Sequence, residues 1–270
     1  MKFSVLMSVY YKEKPECFLE AVESVINQTI KPAEIVIVKD GALTEALEEA
    51  CSTLLHKYSP YIRFIPLERN VGLGLALQKG VLECRYDLIA RMDTDDISKV
   101  DRFEKQLKAF IENPEIVICG GFIEEFSNSS QDIEGIRCVP LDRASIYEFA
   151  KRRNPFNHMT VMFRKQAVLD AGNYQSFLLL EDYYLWYRLI LKKYSMMNIP
   201  DILVSVRADE GMIERRGGLS YFEKESRLYK LFYNDKYITL FELILVLFIR
   251  FWGRICPGKL RRIIYAYFLR

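Results

Sequence analysis

At 270 residues, half of them apolar, the chain can bury one large core, or one core with a small appendage, and no more. A formal charge of +2 excludes a strongly basic footprint for nucleic acid over the chain as a whole. The six cysteines (Cys17, Cys51, Cys84, Cys119, Cys138 and Cys256) form no C-x-x-C pair, a pattern of reduced thiols in a cytoplasmic setting rather than a disulfide framework or zinc site.

The first elements alternate. Phe3–Val9 is β-rich, and its apolar run meets Lys12, Glu13 and Lys14 too soon for a signal peptide. Phe18, Leu19, Val22, Val25 and Ile26 then recur at helical spacing behind Pro15, a residue suited to a first helical turn. Residues 34–38 read as a second strand, ending at Asp40 and Gly41. Thr44 is placed to cap a helix reaching Tyr58, with Leu47, Cys51, Leu54 and Leu55 on one face. A strand over 62–67, a helix over 73–84 and a strand over 87–92 follow. An amphipathic helix over 100–112 ends at Asn113-Pro114, and a strand over 116–119 is stopped by Gly120 and Gly121. Repeated β-α-β units demand a mostly parallel sheet with right-handed crossovers, so the fold class is α/β. The remainder is less regular: a strand over 160–163, a helix over 182–192, a strand over 202–206, and helix from Ser220 almost to the end.

The strand of Leu88, Ile89 and Ala90 delivers three carboxylates, Asp93, Asp95 and Asp96, where it stops. Ligands of open α/β sheets bind at the carboxyl ends of strands. Crowded acids there repel one another unless a cation such as Mg²⁺ or Mn²⁺ neutralises them and completes its shell with phosphate oxygens. A solvated acidic turn after a core strand is the plainer reading of the same residues. Asp40 can accept a base N–H or hold a ribose hydroxyl, and Gly41 lets the chain turn. The glycines Gly72 and Gly74, behind Asn70, open a helix whose free N–H groups attract anions, although no G-K-[ST] follows and this is not a P-loop.

Glu181 and Asp182 precede the aromatic run Tyr183, Tyr184, Trp186 and Tyr187. Partial desolvation there raises a carboxylate's pKa and makes it a better base, while an acid satisfying a helix N-terminus would look the same. His158 stands alone before a strand. Arg215 and Arg216, followed by Gly217 and Gly218, could clamp a diphosphate or form a solvated basic loop.

Assembled in order, these pieces resemble the family 2 glycosyltransferases, which have the GT-A fold. The matching segments are Ser8-Val9-Tyr10, Glu23 through Thr29, Glu34 through Gly41, Asn70 through Gly74, Ala90 through Asp96, Arg102-Phe103-Glu104 and Glu181-Asp182. The segment from Asn154 to His158 and Arg215 to Gly218 look like the bacterial branch that builds capsule, O-antigen or exopolysaccharide. The resemblance implies a Rossmann-like, mostly parallel sheet flanked by helices, with a helical C-terminal extension. It implies a nucleotide-sugar half over 1–122, an acceptor and base half over 123–219, and the extension over 220–270. A UDP-sugar would be held by Ser8, Tyr10, Asp40 (on the uracil), Asn70, Gly72, Arg91, Asp93 and Asp95. The metal ligands would be Asp95 and Asp96, with Mn²⁺ or Mg²⁺. Asp182, beside Glu181, would be the base of an inverting transfer. His158, Trp186, Arg215 and Arg216 would serve the acceptor or the diphosphate. Many members have two acids before the glycine; this chain has Lys39 and keeps Asp40.

The tail over 237–252 is apolar but includes Glu242 and Arg250, and is short of the ~20 residues that span a bilayer. Arg250, Arg254, Lys259, Arg261, Arg262 and Arg270, interleaved with Phe248, Phe251, Trp252, Tyr265, Tyr267 and Phe268, suit the headgroups of an anionic membrane. The expectation is a hexosyltransferase, peripheral at the inner face of the cell membrane, with a lipid-linked saccharide acceptor and no nucleic acid partner. A sugar-nucleotide pyrophosphorylase shares the alternation and the acids, but its Gly-rich basic signature is missing around Ser8 to Lys12. A non-catalytic nucleotide- or carbohydrate-binding partner is the remaining alternative.

Overall fold

The structure, a computed structural model, describes residues 1–127, 132–177, 179–207 and 218–255. The pairs β1 (Phe3–Val9) and α1 (Pro15–Ile26), β2 (Glu34–Lys39) and α2 (Glu45–Tyr58), and β3 (Ile62–Pro66) and α3 (Leu73–Glu83) are followed by β4 (Leu88–Arg91). Thr44 does cap α2, its hydroxyl accepting the Leu47 N–H at 3.4 Å. Next come β5 (Ile97–Ser98), α4 (Arg102–Glu112), β6 (Ile116–Phe126), β7 (Ile133–Arg137) and α5 (Arg143–Phe149). A 3-10 turn at His158–Thr160 leads to β8 (Met162–Arg164), α6 (Lys165–Asp170), α7 (Glu181–Leu191) and β9 (Ser195–Arg207). Two helices close the described chain, α8 (Leu219–Asn234) and α9 (Leu240–Ile255).

All strands join one sheet in the order β3-β2-β1-β4-β8-β6-β9-β5, with β7 on β6. The quartet β3-β2-β1-β4 is parallel throughout, as is the long β6–β9 pairing; β8 inserts antiparallel between β4 and β6. Strand alternation divides the core in two. Val5, Met7, Val9, Ile35 and Ile37 face α1, α2 and α4, whereas Leu6, Val36, Val38 and Ile89 face α3, α7 and the C-terminal helices. The order reverses between β1 and β4, with β2 on one side and β8 on the other, and this switch point opens a crevice at the strands' carboxyl ends.

Two expectations need correcting. Gly120 and Gly121 do not stop β6, which runs to Phe126, across residue 122. A Cβ on Gly120 would lie 2.3 Å from Asn198 Oδ1, and one on Gly121 2.6 Å from Leu203, so these glycines allow β9 to approach. The register slips beside them, between Gly121 and Ile123. The second correction concerns α9. Arg250 and Arg254 do not offer their heads to a membrane. Both are buried and share Glu225 of α8: Arg250 Nη1 donates at 2.9 Å, and Arg254 Nε and Nη2 at 2.8 Å. Arg250 also donates to the Arg152 carbonyl, at 2.6 Å. Residues 256–270, with the rest of the basic-aromatic tail, lie outside the described residues.

Candidate active site

The acidic turn is fixed by its neighbours before any ligand is considered. Arg91 is buried at the end of β4 and holds Asp93 through both terminal guanidinium nitrogens. Buried Arg102 donates from Nη2 to the Arg91 carbonyl at 2.7 Å, and Thr94 donates to the Ser8 carbonyl at 3.2 Å. Arg207, at the end of β9, closes the far side. Its backbone N–H reaches Asp96 Oδ1 at 3.0 Å, and its Nε the Asp95 carbonyl at 3.1 Å. One carboxylate oxygen each from Asp93, Asp95 and Asp96 then lies within 4.8 Å of the others. Burial and the Asp93 charge push Asp95 up to about 6; burial and the Asp95 and Asp93 charges hold Asp96 well above the carboxylate range. Hard oxygen donors that raise each other's pKa in this way fit a divalent cation, because such an ion removes the repulsion that protonation otherwise relieves.

The rest of the expected donor site surrounds this turn. Asp40 is buried, and its two oxygens accept the N–H groups of Val71 at 2.7 Å and Gly72 at 3.0 Å, while Asn70 Nδ2 donates to its carbonyl at 3.2 Å. Gly41 needs its positive φ of 85°, and a Cβ there would lie 2.5 Å from Asn70 N. Ser8 and Tyr10 are half-buried at the end of β1. Lys39 turns its ammonium onto Glu48 of α2.

Arg91 links the turn to the helix carrying the expected base by its charge, which acts on Asp93, His158, Tyr174 and Glu181. Glu181 and Asp182 part company. Glu181 is buried, its Cβ 3.1 Å from where a Cβ on Gly74 would sit, and burial with the Asp182 charge raises it to about 7. Asp182 lines an open pocket whose lining does not include the acids of the turn. It accepts from Asn154 Nδ2 at 2.6 Å and from the Tyr183 N–H at 2.7 Å. His158 shares that lining and pairs its Nε2 with Tyr174 Oη at 2.9 Å; burial and Arg91 hold it neutral. Trp186, expected at the acceptor, is fully enclosed against Phe156, His158 and Tyr174, so it offers a saccharide no surface. Arg215 and Arg216 lie outside the described residues.

Sequence reasoning missed three participants. Glu13, on the loop after β1, is pushed up to about 8 by burial and by Asp95 and Asp93, so a fourth acid faces the turn. Arg207 lacks any local motif. Asn157 lines the pocket, and its buried Oδ1 meets no donor among the described residues.

Known proteins resemble this chain in sequence and fold. Residues 4–175 fit the model of Glycosyl transferase family 2. The chain is 41% identical to the amylovoran biosynthesis glycosyltransferase AmsE of Erwinia amylovora, over 97% of each protein. It is 35% identical to the UDP-Gal:alpha-D-GlcNAc-diphosphoundecaprenol beta-1,3-galactosyltransferase of Escherichia coli, over 100% of this chain and 97% of the other. The crystal structure of S. aureus TarS 1-349 in complex with UDP-GlcNAc superposes with a TM-score of 0.66 at 15% identity, over 94% of this chain and 74% of that one, and the shared fold is GT-A. With the family match spanning residues 4–175 and two relatives aligned along nearly their whole lengths, the chain belongs to glycosyl transferase family 2.

Proposed function

We propose that the protein moves a hexose from a UDP-sugar to a lipid-linked saccharide, with inversion, in the synthesis of a bacterial surface polysaccharide. The relatives' names support the process and the acceptor class, and the TarS complex supports a UDP-sugar donor. One observation carries the reading: Asp182 lines a pocket beside Asn154, Asn157 and His158, and the buried Arg91 that holds Asp93 also exerts its charge on His158 and Glu181.

Asp95 and Asp96 would hold Mn²⁺ or Mg²⁺, with Asp93 kept in place by Arg91. When bound, the cation supplies neutralisation of the charge growing on the departing diphosphate. Asp182, whose carboxylate lines the pocket, would take the proton of the acceptor hydroxyl. As the acceptor oxygen bonds to the sugar's C1, its proton passes to Asp182; the bond from C1 to the β-phosphate oxygen breaks, and its electron pair leaves with UDP. Attack opposite the leaving group inverts the anomeric centre without a covalent enzyme intermediate. Glu181 stays behind the reaction, shaping the helix start that presents Asp182.

Attachment to the inner face of the cell membrane completes the reading. Among the described residues no helix is long and apolar enough to cross a bilayer. The outer face of α9, however, exposes Phe241, Ile244, Leu245, Phe248 and Trp252, and leads toward the basic-aromatic tail. An interfacial helix followed by cationic chain suits an anionic bilayer.

The test is Asp182→Asn, assayed with UDP-sugar, lipid-linked acceptor and Mn²⁺. Nucleotide affinity should stay within about twofold while transfer falls by roughly 10²–10⁴-fold, the scale of a lost general base. Transfer at a near wild-type rate would remove Asp182 from the role.

A further inference from the structure

The pocket that holds Asp182 is only partly explained by a saccharide. Part of its lining comes from α7, the two leucines before it and the segment around Asn154 to Met159; the rest is Tyr221, Glu225, Arg250 and Arg254 of the two C-terminal helices, with Arg137 at the end of β7. Three guanidinium groups thus face two carboxylates, and His158 adds no charge because it is held neutral. Arg250 and Arg254 are 5% and 3% exposed and, among the described residues, pair with one acid, Glu225. Among the described residues, two buried cations sharing one anion leave an excess positive charge that burial makes expensive. They are also held in place. Arg254 grips Glu225 through two nitrogens and lies 4.6 Å from the centroid of the Tyr221 ring. Arg250 is tied to Glu225, to the Arg152 carbonyl and to Tyr229 Oη.

We infer that this part of the pocket binds the diphosphate that joins the acceptor sugar to its lipid, with Arg250 and Arg254 on its oxygens and Arg137 assisting. The inference rests on the reading of Asp182 as the acceptor's base. Planar guanidinium forks match phosphate oxygens, and an anion between them removes the uncompensated charge. Helix α9 also argues for a lipid-borne diphosphate over a soluble one. The helix that turns Arg250 and Arg254 into the pocket turns Phe248 and Trp252 outward to solvent. A sugar at Asp182, a diphosphate at the arginines and an apolar chain passing to the outer face of α9 therefore lie in the order in which such a molecule is built.

The test uses the full chain in EDTA, without donor, so that binding is read apart from the metal site and from turnover. Farnesyl diphosphate, farnesol and inorganic pyrophosphate are titrated into wild type, Arg254→Lys and Arg137→Gln. Arg137 lies on β7 rather than on the two C-terminal helices, so its variant keeps the test open if Arg254→Lys fails to fold. Farnesyl diphosphate should bind tightest, and its affinity should fall roughly tenfold in Arg254→Lys and a few-fold in Arg137→Gln, the scale of one charge-assisted hydrogen bond. Equal affinity in all three proteins would overturn the inference, as would pyrophosphate binding as tightly as farnesyl diphosphate, which would assign the pocket to a soluble anion. Because no transfer is measured, failure of the base assignment leaves this result readable, and the converse holds for the Asp182→Asn assay.

Discussion

Both oxygens of Asp40 accept backbone N–H groups, so this carboxylate closes the loop that launches α3 in addition to any contact with a base. Replacing it with alanine strands two partly buried donors, each bond to a charged acceptor being worth about 1.5–3 kcal/mol. Asp40→Ala should therefore destabilise the nucleotide-free protein by about 2–4 kcal/mol in urea unfolding, and Asp40→Asn by less, since its amide oxygen still accepts. An unchanged midpoint for Asp40→Ala would mean that something else holds the loop. The sequence pattern found Asp40 because it ends a strand, yet its loop partners lie 31 and 32 positions away and leave no local trace. Trp186 shows the opposite error. The resemblance gave it to the acceptor or the diphosphate, but helical period sends Tyr183, Trp186, Tyr187 and Ile190 to the buried side together.

At the scale of elements, α9 divides its faces cleanly. Leu243, Val246, Arg250 and Arg254 turn inward at helical spacing, while Phe241, Ile244, Phe248 and Trp252 turn out. Phe241 is 74% and Phe248 61% exposed, so charging them removes little packing. If this face lies in an anionic bilayer, Phe241→Glu with Phe248→Glu should cut binding to phosphatidylglycerol vesicles by at least about tenfold, given ~1.5–3 kcal/mol per buried phenylalanine. The melting temperature should barely move. Unchanged vesicle binding would sink the assignment, and a dimer that becomes a monomer in the variant would hand the face to a second copy of the chain. The helix itself was legible from its apolar run. The inward turn of its arginines was not, because their counter-charge, Glu225, belongs to the preceding helix. Short elements also escaped: β5 has two residues, α6 six and α5 seven, too few for a period to stand out. The long alternation of the first half, from Phe3–Val9 to Leu88–Arg91, was readable because each unit repeats its pattern over a full strand or helix.

Across the whole molecule, acids gather where the parallel strands end, and their ionisation sets the pH response of the unliganded fold. Glu13 rises from 4.5 to about 8, Asp95 from 3.8 to about 6 and Glu181 from 4.5 to about 7, each chiefly through burial. Each group holds its proton more tightly folded than unfolded. Its contribution to stability is therefore complete below the ordinary value and lost as pH climbs to the folded one. In chelator, stability should decline between about pH 4 and pH 8, apart from whatever other groups add. A cation held by Asp95 and Asp96 reverses the cause, since the ion takes over the neutralising part played by protons, and those protons must leave before it enters. Mn²⁺ should accordingly raise the melting temperature much more at pH 8 than at pH 5. Asp95→Asn should flatten the decline in chelator and abolish most of the Mn²⁺ effect, because it removes one ligand and one of the charges that face Glu13 and Asp96. A Mn²⁺ shift of equal size at both pH values, or one that survives intact in Asp95→Asn, would separate the acidic turn from metal binding and leave its repulsion to be relieved by protons alone.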